Sequence, residues 1–219
     1  MKHTEKELQA LKEEVSQMWK LVLSQLEKAK QAFLNNDAEL AREVAAREKH
    51  VNAFELKIDS DSENYIALFS PVAVDLRLVL SLIKINITLE RIGDFCESIA
   101  RYVIEQDTPI DAQLIEDLQI EKIFDTLAAM LSDCFVALES ENTRLSGKIM
   151  QRDNDIDIIY LNALDVMTAY LEKNPAKIKV GLKTILLIRK LERIGDHCNN
   201  IVEEIVFYVD AKVLKHTGQ

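Results

Sequence analysis

Leu89–Asp94 reads LERIGD, and Leu191–Asp196 reads LERIGD again, an offset of 102 residues. The copies stay in step beyond the hexapeptide, as LERIGDFCESIARYV and LERIGDHCNNIVEEI, with a Cys two residues past the Asp and an Ile three residues after it. Around the first copy, Leu82, Ile85, Leu89, Ile92, Cys96, Ile99 and Val103 recur at steps of three and four, the apolar stripe of an amphipathic helix. The same offset leads to Thr184, Leu187, Leu191, Ile194, Cys198, Ile201 and Ile205. One helix has been written twice, and the segments around it repeat with it.

Outward from these helices, the breaks in the chain are polar pairs. Ser70-Pro71, Thr108-Pro109 and Asn174-Pro175 each set a capping residue before a proline, which is tolerated at the first helical position because its missing N–H has no partner there. Asn36-Asp37 and Asn142-Thr143 supply two further breaks. The spacing predicts six long helices of about 30 residues, each about 45 Å at 1.5 Å per residue. No stretch alternates β-branched with polar residues, and Asn-Gly turns are missing. The expected fold is therefore all-α, with two tandem, pseudo-symmetric three-helix bundles over 1–106 and 107–219 and a boundary near Gln106–Pro109.

At 219 residues with 48% hydrophobic content the chain can bury a sizeable core. Its formal charge of −10 argues against a nucleic-acid partner, which calls for a basic footprint. No segment approaches the roughly 18 uninterrupted apolar residues of a membrane span, and the N-terminal MKHTEKELQALKEEV lacks the apolar core of a signal peptide. Cys96, Cys134 and Cys198 form an odd, sparse set without a CxxC pair, which fits a cytoplasmic protein whose thiols pack as small hydrophobes. Trp19 is expected in the core or at a dimer contact.

The repeated acids fall on a different face from the stripe. On a wheel of about 100° per residue, Glu90, Asp94 and Glu97 cluster well away from the apolar centre, and Leu76, Leu80, Ile83 and Ile87 precede them on the same outer face. The preceding helix of each half adds Glu48 with Asn52, and Asp153 with Asp157, at a spacing of four. Like charges at that spacing repel, and a bound cation removes the repulsion. Hard oxygen donors on two neighbouring helices suit Mg²⁺, Mn²⁺, Ca²⁺ or iron. Solvated surface acids, with Arg91 and Arg193 as loose partners, are the simpler alternative. Gly93 and Gly195, inside the motif, cost about 1 kcal/mol each in helix propensity, so they mark a close approach by a neighbour or room for an ion.

At these residues, together with PVAVDLR at Pro71–Arg77 and RDNDID at Arg152–Asp157, the chain resembles the PhoU family of phosphate-signalling proteins, over essentially its whole length. The resemblance implies a cytoplasmic, usually homodimeric, non-enzymatic regulator. Such a protein stands between a phosphate ABC transporter with its ATPase and a sensor histidine kinase, and represses the starvation response. It also implies carboxylate metal clusters on the outer faces, with Mg, Mn, Fe or Zn as candidate ions. Carried onto this chain, the ligand candidates are Glu90, Asp94 and Glu48 in the first half and Glu192, Asp196, Asp153 and Asp157 in the second.

The copies differ in ways that bear on those sites. Phe95, Ser98 and Arg101 stand where His197, Asn200 and Glu203 do, and Asn52 stands where Asp157 does. With fewer acids and an added cation, the first site is expected to bind an ion less tightly than the second. His197 is either a further ligand or a hydrogen-bonded neighbour. Asp75 and Arg77 have Lys177 and Lys179 as counterparts, so that pair belongs to the first half alone. Two other readings compete with a metal-binding regulator: a helical scaffold without metal, and a di-metal carboxylate enzyme. The enzyme would need Glu-x-x-His on inward faces, and none of the four histidines has a Glu three residues earlier.

Overall fold

The computed structural model describes residues 3–106 and 108–214. Six long helices carry the chain: α1 (His3–Asn35), α2 (Ala38–Phe69), α3 (Ala73–Ile104), α5 (Ile120–Glu139), α6 (Ser146–Lys173) and α7 (Ile178–Asp210). A seventh, α4 (Ala112–Asp117), has only six residues, and 3-10 turns at Thr143–Leu145 and Pro175–Lys177 lead into α6 and α7. The fourth expected segment is thus split, and α5 has 20 residues. Gln119, at φ 51°, takes the left-handed conformation that ends the short helix, and Leu114 and Leu118, just before the break, are buried.

Three of the expected breaks work as anticipated. Asp37 caps α2 by accepting from the Glu39 and Leu40 N–H groups at 3.0 Å, and Asn142 accepts from Arg144 N–H at 2.9 Å. Pro175 opens its 3-10 turn directly after Asn174 as expected, although the Asn174 side chain donates back to the Tyr170 carbonyl and makes no capping bond. The other two differ. Ser70 closes α2 in a left-handed conformation (φ 45°), its N–H bonded to the Ile66 carbonyl, and α3 begins after Val72. α4 starts after Asp111 rather than at Thr108-Pro109. The expected boundary between 1–106 and 107–219 falls in this link, and Asp107 lies outside the described residues.

α1, α2 and α3 pack as one bundle and α5, α6 and α7 as the other, with the halves joined along α3 against α7 and α1 against α5. Trp19 is buried at the second junction, where its indole Nε1–H donates to the Leu131 carbonyl at 3.1 Å and its ring lies 5.5 Å from Phe135. α3 and α7 run antiparallel: Ser81 Oγ donates to the Glu204 carbonyl at one end, and Tyr102 meets Thr184 at the other, both at 3.1 Å. Between these ends Phe95 stacks on His197, with ring centroids 5.7 Å apart. Those two positions are equivalent under the 102-residue offset, so a local pseudo-two-fold axis passes between their rings. Cys96, Cys134 and Cys198 are all buried as free thiols.

Candidate metal centre

The glycine inside each LERIGD faces the preceding helix at the point where that helix carries its buried acid. A Cβ on Gly93 would meet Val51 Cγ1 at 3.1 Å and Glu48 Oε2 at 3.4 Å, and a Cβ on Gly195 would overlap Asp153 Oδ1. The missing side chain is what lets a carboxylate from α2 or α6 lie against the backbone of α3 or α7. Close approach by a neighbour is thus the reason for both glycines.

In the first half this brings Glu48, Glu90 and Asp94 together, with one carboxylate oxygen from each lying within 4.8 Å of the others. Glu48 is 7% exposed, and neither of its oxygens meets a hydrogen-bond donor; Asp94, at hydrogen-bonding distance, offers only another carboxylate. Burial, and then the charges of Asp94, Glu97 and Glu90, push the Glu48 carboxyl up to about 7. Glu90 is also raised, by burial and by Asp94 and Glu55, against the pull of Arg91. Two like charges about 5 Å apart cost about 3 kcal/mol at an effective dielectric of about 20. Close packing of α2 on α3 therefore leaves a site that demands a proton or a cation.

The second half is built on the same plan with different chemistry. Asp153, 5% exposed, is pushed up to about 7 by burial and by Asp157, Asp196 and Glu192. Asp157 and Glu192 are raised as well, by burial first and then by Asp196. The four expected ligands share one electrostatic environment. However, Asp153 Oδ2 accepts from Asn199 Nδ2, and only Oδ1 lacks a partner. Among the described residues, three converging acidic ligands occur in the first half alone.

In geometric terms the first site is the more convergent of the two. Glu48 is one methylene longer than Asp153 and reaches its neighbours with both oxygens free, whereas Asp153 is shorter and tied to Asn199. Arg101, expected to weaken the first site, donates from Nε and Nη2 to Glu97 Oε1 at 2.9 and 2.7 Å, and so matches the charge of one of the acids that act on Glu48. His197 stays with the core: it is 7% exposed, stacks on Phe95, and its Nδ1 lies 3.4 Å from Asn200 Nδ2. Burial and the nearby Arg91 and Arg193 lower its basicity. Two contributors escaped the sequence reading. Glu55 follows Glu48 and Asn52 on one face of α2 at steps of four and three, a periodicity open to inspection; Asn199 carries no such signal.

The PhoU domain family matches this chain over residues 15–103 and again over 120–205. The chain belongs to the PhoU family. The phosphate-specific transport system accessory protein PhoU of Edwardsiella tarda is 33% identical over 97% of this chain and 86% of its own length, and that of Escherichia coli K12 is 32% identical over 97% and 87%. The crystal structure of PhoU from Pseudomonas aeruginosa superposes with a TM-score of 0.86 at 30% identity, covering 95% of this chain and 99% of that one. The phosphate transport system regulatory protein PhoU from Streptococcus pneumoniae gives a TM-score of 0.86 at 26% identity, over 97% and 100%. The repeat and the helical bundle fold of this chain are thus those of a PhoU protein. Among its described residues no helix is long and apolar enough to cross a membrane.

Proposed function

We propose that this PhoU protein is a non-enzymatic accessory regulator of phosphate transport that carries hard metal ions in its two carboxylate clusters. The observation that carries the metal reading is Glu48: a buried carboxylate with no donor, held among Glu90 and Asp94. The donors are all carboxylate oxygens, without thiolate or imidazole, so Mg²⁺, Mn²⁺ or iron fits them better than zinc. Glu48, Glu90 and Asp94 would hold the ion of the first half, and Asp153, Asp157, Glu192 and Asp196 that of the second. A bound ion supplies positive charge that relieves repulsion within each cluster. The chain's own part is to hold α2 against α3, and α6 against α7, through glycines that keep the acids close.

The regulatory part of the reading is supported by the names of the relatives, which are accessory or regulatory proteins of phosphate transport. On this reading the protein acts in the cytoplasm as a homodimer that contacts the transporter ATPase and a sensor histidine kinase, and so represses the phosphate-starvation response. Metal analysis of protein purified without chelator or a nickel column tests the first part. Stoichiometric metal that falls in E48Q supports it, and metal-free protein returns the acids to a solvated scaffold. A starvation-response reporter in a deletion strain tests the second: expression in high phosphate is expected, and unchanged repression rejects the regulatory role.

A further inference from the structure

Where the C-terminal part of α3 crosses the N-terminal part of α7, the halves leave a cavity of about 260 Å³. Its polar lining is dominated by cations, Arg101 from α3 with Lys183 and Lys190 from α7, in a chain whose overall charge is −10. Arg101 is balanced by Glu97 and by Glu105 on the rim. The two lysines are not: among the described residues neither pairs with a carboxylate, and Lys190 Nζ donates to the Ser98 hydroxyl. Tyr102 and Leu187 form the wall behind them.

The duplication provides an internal comparison. The pseudo-two-fold axis between Phe95 and His197 relates this cavity to the opposite end of the α3–α7 joint. There the equivalents of Lys183, Lys190 and Tyr102 are Ser81, Thr88 and Glu204, and the equivalent of Leu186 is Lys84. That end holds its cation internally: Lys84 pairs with Glu204 at 2.9 Å, its ammonium lies 5.7 Å from the centre of the Phe207 ring, and Ser81 donates to the Glu204 carbonyl. Divergence has closed one end with its own ion pair and left the other with two unanswered positive charges around a hollow.

We propose that this cavity is a binding site for a phosphate-type dianion, held by Lys183 and Lys190 with Ser98 and Arg101 beside them, at the joint between the two halves. Two unpaired ammonium groups match a doubly charged ligand, and a tetrahedral oxyanion has enough oxygens to accept from both lysines, the serine hydroxyl and the guanidinium edge. The volume lies below the usual range for drug-sized ligands, which selects a free phosphate or a compact monoester over a dinucleotide. The site lies apart from the carboxylate ligands themselves, and the Arg101–Glu97 pair is the link between it and the first cluster.

The test is titration calorimetry of the full chain with EDTA present, so that no ion recruits phosphate, using inorganic phosphate and phenyl phosphate. Saturable binding with one site per chain is expected, weakened at least tenfold in K183Q/K190Q and unchanged in K84Q at the opposite end. Tenfold tighter binding of phenyl phosphate assigns the natural ligand to the monoesters, with Tyr102 and Leu187 meeting its organic part, and equal affinity assigns it to free phosphate. Should the double variant melt below the wild type, K183Q and K190Q singly carry the same expectation at smaller size. No saturable binding, or binding indifferent to both lysines, overturns the proposal.

Discussion

Glu48→Gln isolates the cost of holding a buried carboxylate against two others. The folded-state carboxyl sits at about 7 against an ordinary value of 4.5. The native state therefore holds its proton more tightly than the unfolded chain, and this group's contribution to stability falls as pH rises from about 4.5 to about 7 and is flat above. Integrated between pH 5 and pH 8, the loss is about 2–3 kcal/mol in the metal-free protein. Asp153 adds a similar slope, but it is present in both wild type and variant and cancels in their difference. The amide that replaces Glu48 cannot ionise, so the variant should gain about 2–3 kcal/mol on wild type over that interval, whatever fixed cost the amide carries. For a chain of this size that is about 5–10 °C in melting temperature.

The assay is a pair of thermal melts in chelator at pH 5 and pH 8, repeated at pH 8 with excess Mn²⁺ or Mg²⁺. An ion at 100 times its dissociation constant stabilises a single site by about 2.7 kcal/mol. Wild type should recover with metal most of what it loses to pH, and Glu48→Gln should recover less. Parallel pH profiles for the two proteins would refute the argument, because they would mean that Glu48 ionises in the fold as freely as in the unfolded chain.

Gly195→Ala should destabilise by about 1–3 kcal/mol despite the better helix former, because its Cβ would overlap the Asp153 carboxylate, while Gly93→Ala, with its nearest contact at 3.1 Å, should come close to neutral; chemical denaturation of both compares them, and equal losses would remove the packing explanation. Asp94→Asn should release more bound metal than Asp196→Asn, since Asp94 belongs to the three converging carboxylates; metal counts on the two variants give the order, and the reverse would favour a simple count of acids over their convergence. Trp19→Phe should cost about 1 kcal/mol beyond its lost volume for the bond from Nε1 to the Leu131 carbonyl, and a melt unchanged from wild type would show that bond to be worthless across the α1–α5 junction.

The repeat and the helical class could be read from the sequence because both rest on periodicity, and LERIGD with its flanking stripe carries that in every third or fourth residue. The breaks were less legible. Ser70-Pro71 offers a polar residue before proline, which suits a helix start, yet the serine ends α2 because its backbone closes onto the Ile66 carbonyl. Gln119 carries no glycine or asparagine to announce a left-handed residue, so the division of the fourth segment into α4 and α5 had no local signal. The site followed the same division. Spacing placed Glu90 beside Asp94 and Glu192 beside Asp196, but the burial of Glu48 depends on an absent side chain on another helix, which becomes visible only when α2 lies on α3.

The two halves also differ for a reason that no single copy shows. Because α3 and α7 meet antiparallel, the twins Phe95 and His197 face each other at the axis, while residues towards either end face the opposite end of the other copy and not their own twins. A substitution at Arg101 therefore changes the surroundings of Lys183 and Lys190, while its equivalent Glu203 lies at the end of the joint that holds Ser81 and Lys84. Duplication supplied two identical frames, and their antiparallel contact made their ends chemically independent. Carboxylates could then be kept close in both frames at Gly93 and Gly195, where each copy packs within its own bundle, while the joint between the bundles diverged into an ion pair at one end and an open, cationic cavity at the other.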